Sequence, residues 1–154
     1  MPAAVYDNFL LRALGGSAAA APGPLVDWMA DDIRCTLHAS GYVPSKTTHA
    51  ASSDLTNQLA TAGGYTSGGA ALANKTLALT SSVIKADADD AVWAGASFTA
   101  RVAVVADWTP ATAADETLIW YNDNGSDSTA SGGEFRVQFH TTNGIFQITI
   151  AAAA

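Results

Sequence analysis

The chain has few residues that could crosslink it, charge its surface or hold it in a membrane. Its single cysteine, Cys35, cannot form an internal disulfide and is expected to be a buried, inert thiol. Charged residues make up 14% of the 154 positions, against about a quarter in an ordinary soluble domain. No run of about twenty apolar residues is present, and the N-terminus lacks a basic region followed by an apolar core. We therefore expect a cytoplasmic protein with no membrane association.

Positive charge is scarce and dispersed along the chain. There are 7 Lys and Arg residues against 14 Asp and Glu residues, which gives a formal net charge of -7. The cations are spaced singly, so they form no basic patch that could bind a phosphate backbone, and we expect no nucleic-acid binding. Much of the surface must therefore consist of Ala, Ser, Thr, Gly and Asn. Such side chains lose little entropy when another protein covers them, which favours permanent protein contacts.

The N-terminal residues predict a short amphipathic helix. Phe9, Leu10 and Leu14 lie at helical spacing, and a pair of glycines follows as a natural helix end. The apolar face of this helix could pack on its own domain or dock on a partner, so these three residues are interface candidates.

A connector is predicted after the helix. Residues 17–24 contain four consecutive alanines followed by Pro-Gly-Pro, and proline is excluded from a helix interior. We therefore divide the chain into a helix and linker over residues 1–24 and a strand-rich domain over residues 25–154.

The second part of the chain is typical of a mainly β protein. Short alternating or apolar runs are separated by turn residues, which predicts an antiparallel β-sandwich of the jelly-roll or immunoglobulin-like type. The predicted strands cover residues 33–39, 70–80, 82–86, 97–106, 118–122, 134–140 and 145–151. A polar loop over residues 45–69 is long for so small a domain, and contact with a neighbouring protein is the simplest role for it.

The last two runs predict a β-hairpin. Phe135, Val137 and Phe139 alternate with polar residues, and Thr142-Asn143-Gly144 then turns the chain into a second strand.

The side chains that most often carry chemistry form no recognisable motif. The three histidines are widely separated, and the paired glycines lack the Lys and Ser or Thr of a phosphate loop. No pair of carboxylates stands out from the acidic surface residues, so we predict no enzyme activity, no cofactor and no metal. The oxygen-rich stretch 122–127 could surround calcium, but it lacks the terminal glutamate of an EF-hand loop and is interpreted as a turn.

Four tryptophans are many for this length, and a place in a β-rich core is the simplest interpretation of each. Trp28, which precedes Met29, and Trp108 stand at predicted element ends, where aromatic residues also anchor protein interfaces. We take Trp28, Met29 and Trp108 as further interface candidates.

The order of sequence landmarks resembles a family of small virion proteins of tailed phages and prophages. The matching segments span most of the chain: YDNFL (6–10), DIRCTL (32–37), GYVP (41–44), DLTNQ (54–58), GYTSGGAAL (64–72), ADDAVW (88–93), FTARVAVV (98–105), GEF (133–135) and GIF (144–146). The segment 18–24 departs from the family in its length and alanine content.

The resemblance implies a non-enzymatic structural protein without cofactor or catalytic residues. The expected role is a capsid decoration or cement protein, a homo-oligomer that binds the major capsid protein or other virion subunits on the particle surface after assembly in the host cytoplasm. A tail or fibre-associated protein that binds a host glycan or protein is the alternative. A small glycan hydrolase, from a different class, would need two carboxylates in a cleft.

Overall fold

The structure is a computed structural model that describes residues 3–13 and 25–151. The described chain is mainly antiparallel β, with three sheets and one α-helix. In chain order, the elements are β1 (Ala3–Val5), α1 (Asp7–Ala13), β2 (Ile33–His38), a 3-10 helix (Ser52–Asp54), β3 (Ala70–Ala71), β4 (Thr76–Thr80), β5 (Val83–Asp87), β6 (Ala91–Ala96), β7 (Thr99–Asp107), β8 (Leu118–Thr129), β9 (Gly133–Val137) and β10 (Phe146–Thr149).

A five-stranded sheet in the order β1-β8-β7-β2-β3 is the centre of the fold. Its middle strand, β7, is apolar on both faces, which is the pattern of a strand that is covered on both sides. In β7, for example, Val104 and Val105 point to opposite faces, and neither is exposed to solvent. The rest of the chain therefore has to cover both faces of the sheet.

The main core covers one face of this sheet. Cys35, Val105 and Ile119 from the five-stranded sheet pack there with residues of the two smaller sheets, whose strand orders are β10-β5-β4 and β6-β9. Phe9 from α1 reaches the same core, where its ring contacts Phe146 at a centroid distance of 5.1 Å.

The second core covers the opposite face of the five-stranded sheet. It consists of Tyr6, Tyr42, Val102, Val104, Ala106, Leu118 and Tyr121, with Leu55 and Trp108 packed against it. Tyr42 and Leu55 belong to the stretch between β2 and β3, most of which the sequence predicted as a loop for contact with a neighbour. Part of that stretch packs on the chain's own sheet.

Hydrogen bonds join several polar groups that are buried in and beside the second core. The hydroxyl groups of Tyr6 and Tyr42 lie 2.9 Å apart, and the Tyr42 hydroxyl lies 3.1 Å from Nδ1 of His49. His38 donates from Nδ1 to the carbonyl oxygen of Thr56 at 2.8 Å. The bond from His38 attaches the covering segment to β2, and the bond between Tyr6 and Tyr42 attaches it to the N-terminal segment. A buried polar group without a partner would cost about 1 to 3 kcal/mol.

The N-terminal segment, which the sequence analysis separated from the strand domain at residue 24, contacts that domain where the structure describes it. β1 pairs with β8, and Tyr6 and Phe9 are buried in the two cores. The described part of the N-terminal segment therefore packs with the strand domain. The predicted linker and Leu14 lie outside the described residues.

The predicted hairpin between residues 134–140 and 145–151 is wrong. The turn exists, since the amide of Gly144 donates to the carbonyl of His140 at 2.7 Å, but β9 pairs with β6 and β10 pairs with β5. After the turn, the amide of Ile145 donates to the carbonyl of Ala86 instead. Gly144 has a positive φ of 68°, and a side chain there would collide with that same carbonyl.

Two other sequence predictions change in the structure. The single strand predicted over residues 70–80 is divided into β3 and β4, which belong to different sheets, and Asn74 between them has a positive φ of 50°. The stretch 122–127 lies within β8 and is not a simple turn. Asn122 and Asp123 pair with β7, and residues 124–127 bulge out of the ladder, since Ala100 is opposite Ser128 and Val102 is opposite Asp123.

The turn between β4 and β5 is a two-residue hairpin with unfavourable residues. Ser81 and Ser82 have φ angles of 50° and 63°, the left-handed pair of a type I′ turn that prefers Asn-Gly. The double variant Ser81→Asn, Ser82→Gly should raise the free energy of unfolding by about 1 kcal/mol, measured by urea denaturation. Ser126→Gly is the control, because Ser126 is exposed and has no positive φ; a stabilisation equal to that of the double variant would contradict the explanation.

Burial of His38 predicts a loss of stability in mild acid. Burial lowers the pKa of His38 from its ordinary value of 6.5, so the unfolded chain binds this proton more readily than the folded chain. Stability should therefore fall as the pH drops below 6.5, by up to about 1 kcal/mol between pH 7.5 and 5.5. Urea denaturation of wild type and His38→Gln at both pH values is the test. An equal pH dependence in the two proteins would contradict the assignment.

Candidate protein-binding edge

Eight large apolar side chains are exposed in the described part of the chain, and two of them lie on one strand. They are Leu10, Leu25, Met29, Val43, Leu77, Leu79, Val92 and Ile150. Leu77 and Leu79 in β4 are 50% and 66% exposed. Isolated exposed apolar residues are normal on a protein surface, but an exposed apolar strand edge is not.

β4 is the edge strand of the sheet β10-β5-β4. All five of its residues, Thr-Leu-Ala-Leu-Thr, are exposed, and none is charged or a proline. Natural edge strands usually carry Lys, Pro or a bulge that prevents pairing with another chain. β4 carries none of these features, so its free edge can accept a further strand.

The hydrogen-bond pattern shows which main-chain groups of β4 face outwards. The carbonyls of Ser82 and Ala86 accept hydrogen bonds from the amides of Ile150 and Ile145, on the side of β5 that faces β10. Alternate residues of a strand bond to opposite neighbours, so residues 83, 85 and 87 bond to β4. Their partners in β4 are residues 80, 78 and 76. The amides and carbonyls of Leu77 and Leu79 therefore point away from β5, where no described residue accepts or donates.

The side chains of the two leucines extend an apolar face beyond the main core. Leu77 is opposite Ala86 and Leu79 is opposite Ile84, and Ile84 is in turn opposite Ile148 of β10. Ala86 is fully buried and Ile148 packs against the main core, so the leucines lie where this face leaves the core. A hydrogen bond of 3.0 Å from Nε1 of Trp28 to the Thr76 carbonyl holds the start of β4. We call the exposed groups of β4 the β4 edge.

Two of the interface candidates from the sequence are buried in the chain's own core. Phe9 is 4% exposed, and Trp28 is 5% exposed with its ring 5.6 Å from that of Phe146. Both residues stabilise the main core and are not available to a partner.

The other candidates differ in their exposure. Leu10 and Met29 are exposed on the surface, and Met29 follows the tryptophan that holds β4. Trp108 is half-buried against the second core, and its Nε1 is a buried donor without a described partner. Leu14 lies outside the described residues, so the structure gives no position for it.

The sequence did not identify the β4 edge as a site. Residues 76–80 were part of a single predicted strand, and alternation of Thr and Leu is equally typical of a strand with one buried face. The absence of charge over residues 76–82 was the available signal, but it acquires meaning only once β4 is known to be an edge strand.

The residues with reactive or ionisable side chains have structural surroundings. Cys35 is fully buried in the main core, which raises the pKa of its thiol to about 12. Asp123 pairs with Arg101 at 3.0 Å, and this hydrogen bond lowers the pKa of Asp123. Over residues 3–13 and 25–151, no group of three or more His, Cys, Asp and Glu side chains is arranged to hold a metal ion.

One aspartate that the sequence analysis did not single out is buried. Asp107, at the end of β7, is 1% exposed, and this burial raises the pKa of its carboxyl group. It accepts a hydrogen bond of 2.9 Å from the amide of Thr109. That bond fixes the chain where it leaves β7, which is a structural role.

Every Trp, Tyr and Phe side chain of the protein is buried or half-buried. Flat sugar-binding surfaces depend on exposed aromatic rings, and the surface of this chain offers apolar aliphatic side chains instead. The β4 edge is thus better suited to a protein than to a glycan.

No helix in the described ranges has both the length and the apolar character that a membrane crossing requires. Comparisons of the chain with protein-family models, with curated proteins and with solved structures found no match.

Proposed function

We propose that this protein is a non-enzymatic structural subunit of a tailed-phage particle, and that it acts by binding other protein subunits. The β4 edge is the observation that carries this proposal. Its outward-facing main-chain groups, exposed leucines and lack of charge are the features that strand addition uses.

Within the particle, the proposed role is a capsid decoration or cement protein on the shell of the major capsid protein. The proposed architecture is a β-sandwich, with the main core between the five-stranded sheet and the two smaller sheets. Capsid symmetry would repeat each modest contact many times, and the repeated contacts together would give strong adhesion. The net charge of -7 suits a surface that faces solvent outside the packaged DNA.

A tail or fibre-associated protein is the second candidate, because a strand edge can join subunits in a tail as well as in a head. Glycan binding is the less favoured form of this role, since the aromatic side chains are buried or half-buried.

Gold-labelled antibody against this protein, applied to intact virions and viewed by electron microscopy, tests the proposal. The expected result is label distributed over the heads. Label confined to tails would contradict the cement role and favour the second candidate, and absence of label from every particle would contradict the virion assignment. Antibody that has been preadsorbed with the purified protein is the control for non-specific attachment.

A further inference from the structure

The sequence of β4 is the same in both directions. Thr76, Leu77, Ala78, Leu79 and Thr80 read Thr-Leu-Ala-Leu-Thr from either end. If two copies of β4 pair antiparallel about Ala78, each residue therefore lies opposite a residue of the same type: Ala78 faces Ala78, and each Leu77 faces a Leu79. A two-fold interface requires a surface that is complementary to itself, and this strand meets that requirement.

The main-chain groups of β4 agree with the same register. Leu77 and Leu79 are the residues whose amides and carbonyls point outwards. When Leu77 of one copy is opposite Leu79 of the other, the two residues can exchange both of their hydrogen bonds, and the two-fold axis repeats the exchange. Ala78 then lies on the axis in the closely spaced type of pair that makes no hydrogen bonds.

The side chains of β4 would also be covered by this pairing. Directly opposed residues of an antiparallel pair project to the same face of the sheet, so the four leucines would form one apolar cluster continuous with Ile84 and Ile148 of each copy. β4 has no charged residue, so the pairing would bring no like charges of this strand together, although each chain has a net charge of -7.

Further apolar side chains lie at the start of β4. The segment that contains Leu25 and Met29 is held there by the bond from Trp28 to Thr76. Antiparallel pairing brings the start of one strand against the end of the other. Because a five-residue edge alone buries less than a stable interface needs, these exposed residues would add to the contact area.

We infer that a second copy of this chain occupies the β4 edge, so that two three-stranded sheets join into one six-stranded sheet about a two-fold axis at Ala78. This inference rests on the proposal that the β4 edge is a protein-binding surface, and it identifies the partner. The dimer would then be the unit that other virion subunits bind.

A cysteine on the proposed axis tests both the contact and its register. In Ala78→Cys, the paired Cα atoms would lie about 4.5 Å apart, within the range that a disulfide spans. The full-length variant should therefore form a covalent dimer under mild oxidation. Thr76→Cys is the matched control, because its two cysteines would be separated by more than about 13 Å along the strands. The native Cys35 is fully buried and does not compete.

Sedimentation equilibrium of the unmodified chain and of Leu79→Lys provides the second measurement. The wild type should be a dimer, and Leu79→Lys should raise its dissociation constant at least about tenfold, because two like charges would meet near the axis. Val43→Lys is the control, since Val43 is 74% exposed in a loop distant in sequence from β4, and it should leave the dimer unchanged.

Three outcomes would overturn the inference. The first is a monomeric wild type, and the second is efficient crosslinking of Thr76→Cys in place of Ala78→Cys. The third is a monomeric Ala78→Cys variant in which the new thiol does not react with a thiol reagent, because residues of its own chain cover it. These experiments use purified protein without particles. A failure of self-pairing is therefore distinguishable from a failure of the virion assignment, which the antibody label tests.

Discussion

The five-stranded sheet depends on being covered on both faces, and most of the remaining structure provides that cover. β7 passes through the middle of this sheet with Val104 in the second core and Val105 in the main core, and neither side chain is exposed. Burial of one such side chain contributes roughly 1.5 to 3 kcal/mol relative to its exposure to water. Neither covering layer can be removed without exposing the apolar side chains of β7 on that face, so both layers contribute to the stability of the sheet.

The two faces are covered by different means. The second core is covered by a segment with little regular structure, which the bond from His38 to the Thr56 carbonyl attaches to the sheet and the bond between Tyr42 and Tyr6 attaches to the N-terminal segment. The main core is covered by two small sheets, and one of these extends past the apolar surface that it covers. The exposure of Leu77 and Leu79 follows from this difference in size, because β4 lies beyond the edge of the core. The same packing that stabilises the fold thus produces the protein-binding edge that we propose.

The sequence predicted which segments form strands better than it predicted which strands pair. The alternation in β2 and the apolar run of β7 located both strands within one or two residues, because alternation reports directly on burial. Pairing depends on contacts between distant parts of the chain, and the predicted hairpin failed for this reason. Phe139 and Ile145 flank a real turn and both are buried in the main core, yet the Ile145 amide bonds to Ala86 of β5 and the Phe139 amide bonds to the carboxylate of Asp90, just before β6.

The candidate site shows the same limit. Phe9 and Trp28 were reasonable interface candidates by residue type, but type alone does not separate an aromatic side chain in a core from one in an interface. β1 and β6 were not predicted, since Ala-rich segments of three and six residues carry little strand signal. Leu77 and Leu79 became candidates only when the sheet order placed β4 at an edge.

The central claim, that the β4 edge of one chain pairs with another chain, is tested most directly by amide hydrogen exchange over a dilution series of the purified protein. If the edges pair, the amides of Leu77 and Leu79 exchange quickly in dilute solution and slowly at high concentration, whereas those of β7 are protected at every concentration. Exchange at Leu77 and Leu79 that is equally fast at all concentrations would contradict pairing between chains. Equal protection at all concentrations would mean that the chain covers its own edge, which would also contradict the claim.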